Sequence, residues 1–66
     1  MLKFENPTNG RFYYLEVTNE LVIRIVFGGR RVCRMRTIIC DNRDKLLKEF
    51  DRLSKRRLKR GYVLIH

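Results

Sequence analysis

The chain has no tryptophan, one proline, one histidine, two cysteines and four glycines in 66 residues. Each scarcity excludes something. Cys33 and Cys40 are too few for a disulfide framework, and neither belongs to a CxxC or Cys/His cluster that would hold zinc. They read as packing or surface thiols, which suits a reducing cytoplasm. The one histidine is His66, the last residue, so no imidazole stands in a chain interior as a general base. No carboxylate pair marks a cleft, and no GxxxxGK[ST] run cradles a nucleoside triphosphate. No enzymatic activity, cofactor or metal is therefore expected. Apolar runs never approach the roughly 20 residues of a membrane span, and the N-terminus lacks an apolar signal core. A soluble, cytoplasmic protein without membrane contact is expected. The length allows one domain, 1–66, with a thin core.

Acidic residues are also scarce. Seven Asp+Glu face sixteen Lys+Arg, giving a net charge of +9, and eleven of the sixteen are Arg. The guanidinium is a flat fork that grips phosphate bidentately and stacks on rings. A phosphate-bearing partner fits this balance. A coat of solubilising charge, or an acidic protein partner, fits the same composition.

The chain has no repeat, low-complexity tract or linker. Asn6-Pro7-Thr8-Asn9-Gly10 is a turn cluster. Leu2-Lys3-Phe4 precedes it as a short strand. Phe12 to Val17, Leu21 to Phe27 and Arg31 to Ile39 alternate as strands, separated by Thr18-Asn19-Glu20 and Gly28-Gly29-Arg30. Three-residue turns at both places keep apolar residues opposite each other: Ile25 with Cys33, Ile23 with Met35, Leu15 with Ile23. Residues 42 to 60 read as an amphipathic helix, with Asp41 as N-cap and Gly61 as stop. Leu46, Leu47, Phe50, Leu53 and Leu58 form its apolar stripe, and Arg57 snorkels at the stripe's edge. Tyr62 to Ile65 can add a strand at a sheet edge. The expected fold class is α+β: a small antiparallel β-sheet of three to five strands with one amphipathic helix packed on one face, the odd-numbered one.

Two basic surfaces follow. On the helix, Lys45, Lys48, Arg52, Lys55, Arg56 and Lys59 share an arc opposite the apolar stripe, with the acids to its sides. Repulsion between like charges at i,i+4 suits an anion-binding face, although a plainly solvated face carries charge too. On the sheet, the three-residue turns put Tyr14, Arg24 and Arg34 in one row of the open face, with Arg36 in a neighbouring row. Arginines beside aromatics can stack bases and clasp phosphates. The alternative is that this face is covered, by a terminal segment or by a second copy. The tip, Phe27-Gly28-Gly29-Arg30-Arg31, offers backbone N–H groups and charge, or is an ordinary hairpin turn.

Asn9-Gly10-Arg11-Phe12-Tyr13-Tyr14-Leu15 resembles the "NKFYxxQL" opening of WGR domains. Leu47-Lys48-Glu49-Phe50-Asp51-Arg52-Leu53, with Lys59-Arg60-Gly61-Tyr62, resembles their "AxKEFxKxF…K-x-GY" ending. The resemblance covers nearly the whole chain. Where the family has Trp-Gly-Arg, this sequence has Phe27-Gly28-Gly29-Arg30. WGR domains are sheet-plus-helix modules that contact DNA ends in poly(ADP-ribose) polymerases and also occur as short bacterial proteins. The resemblance implies that fold, and it carries the DNA-touching roles of Trp and Arg over to Phe27 and Arg30. The expected function is non-catalytic binding of the nucleic-acid phosphate backbone, DNA ahead of RNA. Tyr14, Arg24, Phe27, Arg30, Arg31, Arg34, Arg36, Lys48, Arg52, Arg56 and Lys59 are the candidate contacts. The alternative is a protein-interaction or dimerisation module that turns its open sheet face to an acidic partner or to a second copy.

Overall fold

The computed structural model describes residues 1–66 and has the expected α+β architecture. Four strands come first: β1 (Leu2–Glu5), β2 (Phe12–Val17), β3 (Val22–Gly28) and β4 (Cys33–Ile39). The helix α1 (Arg43–Lys59) and a two-residue strand β5 (Val63–Leu64) follow. They form one antiparallel sheet in the order β4-β3-β2-β1-β5. The C-terminal strand pairs at a sheet edge, beside β1. No helix is long and apolar enough to cross a membrane.

Strand alternation gives each strand an inward and an outward set. Phe4, Tyr13, Leu15, Ile23 and Ile25 point to the helix, where Leu46 and Leu53 close the core. Lys3, Glu5, Phe12, Tyr14, Glu16, Val22, Arg24 and Val26 point to the open side. Phe50 is partly buried, whereas Leu47 and Leu58 stay exposed, so the working apolar stripe is narrower than the sequence suggests.

The helix N-cap is Asn42, not Asp41. Its side-chain oxygen accepts the Lys45 amide at 2.9 Å, while Asp41 pairs with the Lys45 ammonium at 3.1 Å. At the other end Gly61 has φ +88°, a left-handed conformation that glycine adopts without strain. The Gly61 amide donates to the Leu58 carbonyl at 3.2 Å, and the Tyr62 amide to the Arg57 carbonyl at 3.1 Å. This reciprocal closure stops the helix and folds Tyr62 back beside Arg57.

Both hairpins differ from the turns expected above. Leu21 does not begin a strand. It takes φ +60° and ends a three-residue loop, Asn19 to Leu21, one residue later than expected, with the Thr18 amide bonded across it to the Val22 carbonyl at 2.9 Å. Leu15 consequently pairs with Ile25, not Ile23, and the faces keep their parity. The second turn has four residues, Gly29 to Val32, closed by the Gly29 amide on the Val32 carbonyl at 2.9 Å. Here the shift is odd. Ile23 pairs with Ile38, Ile25 with Arg36 and Phe27 with Arg34. Every side chain of β4 therefore lies on the opposite side from the one expected. Met35 and Thr37 face the open side, and Arg34 and Arg36 face the helix side. Burial cannot forbid this, because β4 is an edge strand and only Ile38 is even partly covered.

Candidate anion-binding cleft

Three chain segments meet at the tip end of the helix side. The loop from Asn6 to Arg11 is held by its own bonds: the Asn6 amide on the Arg11 carbonyl at 2.8 Å, the Gly10 amide on the Asn6 carbonyl at 2.9 Å, and the Arg11 amide on Asn9 Oδ1 at 2.9 Å. This fixes the origin of Arg11. The β3–β4 turn lies alongside and delivers Arg30 and Arg31. The two loops interleave, since Arg30 passes Gly10 and Arg11 passes Gly29. Gly28 lets the turn close. A Cβ there would overlap the Val32 carbonyl oxygen, so no other residue fits without moving backbone. Arg34 enters from β4, and Arg57 enters from the last turns of α1.

These five arginines line a cleft of about 560 Å³ that contains no carboxylate among its lining residues. None of the five takes part in an ion pair; the structure's four pairs involve Arg24, Lys45, Arg52 and Lys55. The floor is aromatic. Tyr13 lies 6.1 Å from Phe27 and 6.5 Å from Tyr62, between ring centroids. The Arg57 guanidinium sits over Tyr13 at 4.2 Å and Tyr62 at 5.3 Å, within cation–π range. Its Nε is buried and has no hydrogen-bond partner. A buried donor without an acceptor costs on the order of 1–3 kcal/mol.

Between α1 and β4 lies a second hollow, a furrow of about 380 Å³, lined by Ile38, Ile39, Cys40 and Asp41 on one wall and by Lys45, Lys48, Glu49 and Arg52 on the other. Arg36 stands on the helix side of β4 between Arg34 and Ile38, outside the lining of either hollow. Arg34 and Arg36 are two residues apart in a strand, roughly 6.7 Å. That is near the separation of successive phosphates on a nucleic-acid strand.

The candidate residues thus divide. Phe27, Arg30, Arg31 and Arg34 meet in the cleft, Lys48 and Arg52 line the furrow, Arg36 stands on the helix side of β4 outside both, and Arg56 and Lys59 lie on exposed helix. The acids beside the helix arc reach into it through ion pairs. Glu49 pairs with Arg52, Asp51 with Lys55 at 2.9 Å, and Asp41 with Lys45. The Arg52 hydrogen bond, opposed by desolvation and reinforced by the Arg52 charge, holds the Glu49 carboxyl below its ordinary range.

Tyr14 and Arg24 are apart from all of these. The expected Tyr14–Arg24–Arg34 row does not exist, because Tyr14 pairs with Val26 and Arg24 with Glu16. Arg24 reaches Glu16 at 3.8 Å, and Tyr14 packs on Phe12 at 5.0 Å with the Lys3 ammonium 5.5 Å from its ring.

Arg11 and Arg57 were not among the sequence candidates. Arg11 carried a signal, since it follows directly on the Asn9-Gly10 turn. Arg57 carried another, since it stands on the apolar side of its helix. Compared with models of known families, with curated proteins and with solved structures, the chain matches none.

Proposed function

We propose that the chain is a non-catalytic nucleic-acid-binding module of the cytoplasm, gripping the phosphate backbone with little base preference and favouring DNA over RNA. One observation carries this reading: five unpaired arginines converge on a cleft without a carboxylate. Concentrated like charge is unfavourable in the free protein and is relieved by a polyanion, whose condensed counterions are released on binding. Arginine forks suit phosphate oxygens whatever base is attached. Arg36 on β4 and Lys48 on α1, neither in an ion pair, carry charge beyond the cleft, which suits a chain of phosphates better than a single small anion. The resemblance to WGR domains at both ends of the chain points the same way, with Arg30 in the place of the family's arginine.

Fluorescence anisotropy with labelled single- and double-stranded oligonucleotides tests this. Binding in the micromolar range is expected. If five phosphates are engaged, log K falls against log salt with a slope of about −4.5 on duplex or −3.5 on single strands. Removing Arg30 and Arg34 together lowers the slope by about two. An absence of binding at low salt refutes the proposal.

A further inference from the structure

The open side of the sheet has a different character from the helix side. Its charged residues are Lys3, Arg24, Glu5 and Glu16, two of each sign, so the whole excess of +9 lies elsewhere. Its remaining surface is apolar apart from Thr37. Tyr14, Val26 and Met35 form one row across three strands, with Phe12, Cys33 and Val63 in the row beside it; Val22 and Ile39 form a separate pair beyond the row of Glu16, Arg24 and Thr37. Met35 is 65% exposed and Ile39 80%. Soluble monomers rarely leave a contiguous apolar area of this kind uncovered. No second layer of the chain covers it, since the only helix packs on the other side.

We infer that this face is the interface between two copies of the chain, packed sheet against sheet. Charge complementarity selects the occupant. A polyanion or an acidic protein gains nothing from a face of zero net charge, and the basic side of the same molecule would outcompete it. A second copy matches the face with equal numbers of both signs, and back-to-back packing holds the two basic sides as far apart as possible. Pairing through the β4 edge would instead set Arg34 and Arg36 against their own copies. The five strands, at about 4.8 Å spacing and 3.3 Å per residue, span roughly 400 Å² in plan. With side-chain relief, two copies cover on the order of 1,000 Å², near the lower limit of specific interfaces. The expected dimer is reversible, in the micromolar range, with two basic furrows facing outward.

Sedimentation equilibrium without nucleic acid, in about 0.5 M salt to screen repulsion, tests the dimer independently of the function proposed above. The wild-type mass should rise from monomer towards dimer between about 10 μM and 1 mM. Two neighbouring substitutions separate the faces, and both lower the positive charge. Met35→Glu should weaken the dimer by about tenfold to a hundredfold, whereas Arg34→Glu should leave it intact. Ile39→Glu is a second open-side variant that, like Met35→Glu, removes little native packing, and unchanged circular dichroism verifies the fold of each. A wild type that stays monomeric overturns the inference. So does an Arg34→Glu variant that dissociates like Met35→Glu. Single-stranded oligonucleotide that shifts the Tyr14 ring and Met35 methyl resonances of a monomeric protein also overturns it, in favour of a base-stacking platform.

Discussion

Glu49 restrains the basic furrow, because it occupies Arg52, which could otherwise meet a phosphate. Glu49→Gln frees that guanidinium and removes a negative charge beside the path. Affinity for an oligonucleotide should rise by about two- to fivefold at low salt, and a Glu49→Gln protein that binds no better than wild type refutes the role. The same pair sets a pH dependence. A carboxyl held below its ordinary range contributes stability at and above that range and loses it as pH falls through the lowered value. Acid titration of folding should therefore show a slightly smaller loss in Glu49→Gln than in wild type. Arg57 shows the opposite economy. It stacks on Tyr13 and Tyr62 and so stays ordered, yet its Nε is left without an acceptor. Its place on the apolar side of the helix marks it as unusual in the sequence, but the rings beneath it come from β2 and from the segment after the helix, which only the folded chain brings together.

At the level of elements, alternation is readable where burial enforces it. The bounds of β2 and the position of α1 follow from period-two and period-3.6 patterns, because those elements cover the core. The register of β4 does not, because an edge strand outside the helix's shelter can place arginines on either side at little cost. Pairing Ile25 with an apolar partner is a sound rule for a central strand, and Arg36 stands there because solvent reaches it. The helix start is a narrower case of the same kind. Asp41 and Asn42 are both good caps, and it is Asn42 that holds the extended backbone from which its side chain reaches the Lys45 amide. Asn42→Ala should cost about 1 kcal/mol of folding stability in a denaturant titration. Asp41→Ala, which removes only an exposed ion pair, should cost much less.

The whole molecule is thin. Seven buried apolar residues form its core, and Leu15 and Ile23 are fully enclosed. For 66 residues, a total stability of roughly 3–10 kcal/mol is expected. Leu15→Ala should remove about 2–5 kcal/mol of it, enough to leave a measurable unfolded fraction at room temperature in a urea titration. A dimer would add to this reserve as concentration rises. The division of the surface into a charged side and a neutral side is the property on which both proposals rest. It depends on the four-residue turn from Gly29 to Val32. Loss of Val32 alone would keep every charge in the chain yet slip β4 by one position. Arg34 and Arg36 would then move to the neutral side and Met35 to the basic one. A single-codon deletion in this turn thus acts as a rewiring of the molecule's electrostatics, leaving its isoelectric point untouched while exchanging what each side of the sheet can bind.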